Sequence, residues 1–133
     1  MPGLGYEEVN SALLAAVPEI KERYDKSATW QAEVGGHPGQ YEVVEAMLQP
    51  LLKGELDTGR NPALLRRIFE FFEQMACSSD VEVVNLLQVG IFENLVGYPN
   101  RVATAWKYMG PETKKIARET ARIFHREDNI PRK

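Results

Sequence analysis

Residues 66 to 97 read RRIFEFFEQMACSSDVEVVNLLQVGIFENLVG, two apolar stretches at helical spacing split by one short polar break. Apolar side chains recurring every three to four residues need a helical core to bury them, and alternating strand patterns are almost absent elsewhere. From residue 80 to 96, Val83, Val84, Leu86, Leu87, Val89, Ile91, Phe92, Leu95 and Val96 cover most of a helix's circumference. A helix apolar nearly all round belongs at the centre of a domain, so 80–96 is predicted to be the most buried element. Ser79 and Glu82 have S-x-x-E spacing, which predicts a turn and capping box at SSD. Gly90 lets a neighbouring helix approach closely, at a cost of up to ~1 kcal/mol of helix propensity relative to alanine.

The remaining chain supplies helices to wrap this centre. Tyr6, Val9, Leu13 and Val17 line one side of a helix over about 5–16, and Pro18 suits the first turn of the next, PEIKERYDKSATW. Its Glu19–Arg23 and Glu22–Lys26 spacings predict ion pairs on a solvated face. EVGGHPGQ reads as a loop. Tyr41, Val44, Met47, Leu48 and Leu51 form the stripe of another helix, which Pro50 should kink or restart near Gln49. KGELDTGRNP reads as a break, after which Asn61 caps and Pro62 opens PALLRRIFEFFEQMAC. GYPN ends the central helix, RVATAWKYM follows to Gly110, and Pro111 opens PETKKIARETARIFHRE. The prediction is a single all-α domain over 1–133, with six or seven helices packed as antiparallel hairpins. A HEAT-like stagger and a plain bundle both stay open, because no exact repeat is present.

At 44% hydrophobic and 26% charged residues, the 133-residue chain is not expected to be disordered. It has no apolar run of membrane-spanning length, and MPGLGYEEVN lacks the basic and apolar regions of a signal peptide, so a cytoplasmic protein is expected. One cysteine, Cys77, excludes an intrachain disulfide and fits a reducing compartment. The net charge of -3 conceals a split: residues 1–98 hold 15 acids and 7 bases, residues 99–133 hold 9 bases and 4 acids.

Few residues suggest chemistry. Cys77 would need His37 or His125 beside it to act as a nucleophile, and a cysteine ending an apolar helix reads more simply as a buried packing residue. Glu42 with Glu45, and Glu70 with Glu73, share helix faces but lack histidines, and no metal or cofactor motif occurs. GGHPG lacks the Lys-Ser/Thr of a phosphate-binding loop. The expectation is a protein with no enzymatic activity, cofactor or metal.

Charged surfaces say more. Lys115, Arg118, Arg122 and Arg126, beside Lys114, form a basic stripe on the last helix that could meet phosphates. The acidic remainder, and Glu119 within the stripe, disfavour nucleic acid. Between residues 33 and 57 lie Glu33, Glu42, Glu45, Glu55 and Asp57, with Lys53 as the sole base. Tyr41, Glu42, Glu45, Glu55 and Asp57 are the predicted partner-binding residues. Glu42, Glu45 and Gln49 are expected to point away from the Val44–Met47–Leu48–Leu51 stripe with no basic partner on their own helix, and unpaired exposed acids steer a basic partner beside the aromatic anchors Tyr41 and Trp30.

LLRRIFEFFEQMACSSDVEVVNLLQVGIFENL followed by AWKYMGPETKKI resembles a family of small all-helical bacterial proteins associated with polymorphic and contact-dependent toxin systems. VPEIKERY and EAMLQPLL extend the resemblance over most of the chain. It implies an all-helical fold and an immunity protein that neutralises a cognate toxin domain by occluding its active site. No catalytic residue carries over. The alternative is a helical scaffold or adaptor that binds a cellular partner or nucleic acid through the basic C-terminal helix. The identity of the toxin and the oligomeric state stay open.

Overall fold

The computed structural model describes residues 3–33, 36 and 38–132. Seven helices build it, and no strand occurs among the described residues. Helix α1 is Val9–Ala16, entered through a 3-10 turn at Tyr6–Glu8. Helix α2 is Lys21–Ala32, entered through a second such turn at Pro18–Ile20. Helix α3 spans 40–58, joining Gln40–Glu42, a π-helical segment Val43–Leu48, and Gln49–Thr58. Helix α4 is Pro62–Ala76. Helix α5 spans 81–95, joining Val81–Leu87, a second π-helical segment Gln88–Phe92, and Glu93–Leu95. Helices α6 and α7 are Pro99–Trp106 and Pro111–Ile123.

Local chemistry explains most helix starts. Asn61 Oδ1 accepts the Leu64 amide at 3.1 Å, and Pro62 opens α4 where no amide donor is needed. The cap of α5 differs from the expected Ser79–Glu82 box. Asp80 is the cap, with one carboxylate oxygen accepting the Glu82 amide and the other the Tyr6 amide, at 3.0 and 2.9 Å. A carboxylate can serve two donors at once, so Asp80 also ties the first turn of the chain to α5. Proline 99 opens α6 two residues before the predicted start.

Helix α3 overrides the break expected at KGELDTGRNP. It runs to Thr58, because Leu52 and Leu56 continue its buried stripe. That burial outweighs the ~1 kcal/mol penalty of Gly54 in a helix. Gly59, at φ +63°, ends it by donating its amide to Glu55. Near Pro50 the helix changes register instead of breaking: the Gln49 amide reaches Val44 O, five residues back.

The centre is shared by α4 and α5. Leu64, Leu65, Ile68, Phe69, Phe71, Phe72 and Met75 are buried on α4, and Leu87 and Ile91 on α5 are at most 1% exposed. Phe69 and Phe72 meet edge-to-face at 5.1 Å, and Phe92 extends the ring cluster from α5 at 6.2 Å. Helix α5 is not buried all round, since Val81 and Val89 are 66% and 41% exposed beside Glu82 and Glu93. Helix α4 packs against α1, α3, α5 and α7, so the elements close around the central pair as in a bundle.

The two π-helical segments face one another across the α3–α5 contact. A Cβ on Gly90 would come within 2.8 Å of Val44 Cγ1, so only glycine admits this approach. Each segment also offers a carbonyl to a side chain from another helix. Gln49 Nε2 donates to Gly90 O at 2.8 Å, and the Arg23 guanidinium donates to Met47 O at 3.3 Å. Helix α2, with no fully buried residue, is held largely through such polar contacts. Glu22 pairs with Lys26 at 3.2 Å as expected, but Glu19 pairs with Arg67 of α4 and not with Arg23. Arg67 also donates to Ala16 O at 3.0 Å, closing the end of α1.

The last helix is capped from a distance. Gly110 has no side chain to offer, and Glu73 of α4 accepts the amides of Glu112 and Thr113 at 3.1 and 2.9 Å and the Thr113 hydroxyl at 2.7 Å. A Cβ at residue 110 would collide with that carboxylate. Burial raises the Glu73 carboxyl, but the hydrogen bonds from Thr113, Glu112 and Cys77 outweigh it and hold it below its ordinary 4.5. Helix α7 ends at Ile123, short of the predicted 127. The Arg126 amide returns to Ala121 O and the His125 amide to Arg122 O, with His125 left-handed at φ +57°. Asn129 Nδ2 then donates to Val96 O at 2.8 Å, pinning the following 3-10 turn Glu127–Asn129 to the end of α5.

Gly90→Ala should lower unfolding free energy by about 1–3 kcal/mol in urea titration, the range for overpacking, despite alanine's better helix propensity. Adding Val44→Ala should recover part of the loss. Glu73→Gln should cost on the order of 1 kcal/mol at neutral pH. Because the folded-state carboxyl is lowered, its contribution is present above 4.5 and is lost as pH falls through the folded value. The gap between wild type and variant should therefore narrow in acid, as read by urea titrations at pH 7 and about pH 3.

Candidate partner-binding site

The five residues expected to meet a partner do not form one free surface. Glu42 turns toward α2 and accepts hydrogen bonds from Ser27 Oγ and Gln31 Nε2, both at 2.6 Å. Asp57 forms a two-pronged pair with Arg101 of α6, at 2.9 Å for each contact. That pairing holds the Asp57 carboxyl below its ordinary value. Glu55 is half-buried, with Oε1 shielded and unpaired. The expectation of exposed, unpartnered acids therefore fails at Glu42, Glu55 and Asp57. Their donors come from α2 and α6 and not from their own helix. Gln49 likewise points at Gly90 and not away into solvent.

Tyr41 and Glu45 do remain in an acidic group, completed from another helix. Burial, and then the negative charges of Glu45, Glu82 and Glu93, push the half-buried Tyr41 phenol above its ordinary value. Tyr6 is raised in the same manner by burial, Tyr41, Glu82 and Glu7. Gln40 Nε2 donates to Tyr6 O at 3.1 Å, holding the first turn of the chain at the start of α3. Glu45, Glu82 and Glu93 are exposed, and among the described residues no ion pair reaches them. Trp30, 65% exposed, sits one residue before the Gln31 that holds Glu42.

Glu82 and Glu93 were legible in principle. With Asn85 they are the exposed polar residues of α5, and the exposed Val89 lies between them. The abundance of apolar residues in that helix masks them.

Other candidates carry less chemistry. Cys77 is exposed and not a buried packing residue. Its thiol lies 3.8 Å from the Glu73 carboxylate, and desolvation followed by the charges of Glu73 and Glu112 raises its pKa. A thiol held neutral in this way is a poor nucleophile. His37 lies outside the described residues. Among the described residues no group of three or more His, Cys, Asp or Glu side chains could hold a metal ion. Among the described residues no helix is long and apolar enough to cross a membrane. In the basic stripe, Lys114 and Arg118 lie over the Trp106 ring at 5.2 and 5.1 Å, and Lys115 pairs with Glu112 at 3.1 Å.

Residues 10–126 match the family described as a domain of unknown function (DUF7674), and the chain belongs to that family. No curated protein and no solved structure matches the chain.

Glu42 and Glu45 should behave differently when reversed. Glu42→Lys should cost about 1–3 kcal/mol, because Ser27 and Gln31 lose a charged acceptor and a cation takes its place. It should also speed amide exchange across α2, the helix those donors hold. Glu45→Lys should stay within about 0.5 kcal/mol of wild type, as an exposed change does. Urea titration with hydrogen–deuterium exchange checks both.

Proposed function

We propose that this chain is a non-catalytic binding protein, an immunity protein that neutralises a cognate bacterial toxin by covering its active site. The observation that carries the reading is that Glu45 on α3 and Glu82 and Glu93 on α5, two helices that pack together, are all exposed and joined by no ion pair among the described residues. Nuclease toxins act on polyanions through positively charged clefts, and a rigid carboxylate surface can occupy such a cleft in place of phosphates. Association is then steered by charge, while aromatic contacts such as Trp30 hold the complex once formed. Of the residues first expected to touch the partner, Tyr41 and Glu45 keep that role. Glu42 and Asp57 support the surface by holding α2 and α6 in place. The resemblance to toxin-associated helical proteins points the same way.

The alternative, nucleic-acid binding through α7, has less support. Lys114 and Arg118 lie on Trp106 and Lys115 is paired, so Arg122 and Arg126 are the stripe's remaining cations.

The test is binding of the Glu45→Lys/Glu82→Lys double variant to the product of the neighbouring gene, at low and high salt. Association should slow at least about tenfold at low salt, with the difference shrinking as salt rises. Protection of toxin-expressing cells should weaken in parallel. Unchanged binding and protection by a folded variant would place the interface elsewhere.

A further inference from the structure

Beyond Glu93 the surface changes character. Glu93, Asn94, Gly97, Tyr98, Phe124 and Arg126 line an open hollow of about 380 Å³. Two of its rings are exposed, Tyr98 at 46% and Phe124 at 45%. Exposed rings beside an arginine have the composition of an interface centre.

One ring has a fixed neighbour, and the other a fixed backbone. The Arg101 guanidinium lies 4.6 Å over the Tyr98 ring and is itself fixed by both oxygens of Asp57. Phe124 sits where α7 ends, set by the left-handed His125 and the return of the Arg126 amide to Ala121 O. A surface ordered in advance loses little further freedom when it is covered. Glu93 and Arg126 share the rim, yet among the described residues no ion pair joins them or reaches either.

We propose that this face is the contact of a two-fold symmetric homodimer, in which Phe124 of each copy enters the hollow of the other and Glu93 of each meets Arg126 of the other. The charge pattern selects a second copy as occupant. A basic partner would be opposed by Arg126 and an acidic one by Glu93. A two-fold contact, which brings the same patch against itself, pairs every group with its complement twice. Val89, 41% exposed and one helical turn before Glu93, extends the apolar margin. A standard contact takes about a tenth of a small protein's surface, here a share of 7540 Å². The proposal shares Glu93 with the toxin-binding surface, so a second copy and a toxin would compete for that carboxylate, but its measurement needs only the protein itself.

Sedimentation velocity over a concentration series is the test. The wild-type mass should rise from that of the 15.1 kDa chain toward twice that value. Phe124→Ala, Glu93→Arg and Arg126→Glu should each raise the midpoint concentration at least about tenfold. Glu93→Arg combined with Arg126→Glu should return it to within about threefold of wild type, because each charge again meets its opposite. Circular dichroism confirms that each variant is folded. A wild type that stays monomeric throughout overturns the proposal. So does a dimer indifferent to Phe124→Ala, or a double swap as weak as its single components.

Discussion

The approach of α3 to α5 at Gly90 is the constraint on which the remaining packing depends. With no Cβ at residue 90, Val44 seats directly against the α5 backbone. Both helices carry a π-helical segment at the contact, and each inserts one extra residue per turn relative to an α-helix. The extra residue rotates the helix beyond it, so regular α-helical spacing does not give the faces of the residues that follow each segment. Gln49 and Arg23 meet the displaced backbone by donating to carbonyls within the two segments. Surface charge and core packing are thus set by one crossing.

Around that crossing the polar contacts have a common form. Arg67 joins α4 to the end of α1, Arg101 joins α6 to α3, Glu42 holds α2, and Glu73 starts α7. Each is a charged side chain reaching a neighbouring helix, and Arg67 and Glu73 also satisfy a backbone group at a helix end. Helix termini leave amides and carbonyls without partners, and helices as short as α1 and α6 have few residues with which to satisfy their own. Long side chains on neighbouring helices supply what is missing.

Local features of this fold were readable in the sequence. Asn61–Pro62, Pro18 and Pro111 mark helix starts because their effects act within one turn, and Gly90 stands out because glycine inside an apolar helix needs a reason. The pairings that decide which acids are free were not readable. Glu42 meets residues 11 and 15 positions away, Asp57 meets one 44 away, and Glu19 one 48 away. Spacing along a helix is silent about such partners. It therefore assigned Glu19 to Arg23 and left Glu42 and Asp57 unpaired. Asp80 escaped notice for a related reason, since an S-x-x-E pattern one residue earlier offers an equally plausible local cap. Glu45 kept its exposure because neither neighbouring helix brings it a donor.

The remote cap of α7 bears on the order in which the chain assembles. Glu73 lies some forty residues before the amides it receives, so it leaves the ribosome well ahead of Glu112 and Thr113. Until α4 and α7 dock, the first turn of α7 lacks its acceptor and the helix is too short to persist in water. Docking of α7 then belongs to a late step, after the α3–α5 crossing has formed around α4. Contacts made that late have small φ-values, and weakening them speeds unfolding while leaving the folding rate nearly unchanged. Glu73 thus guards the lifetime of the native state more than its formation.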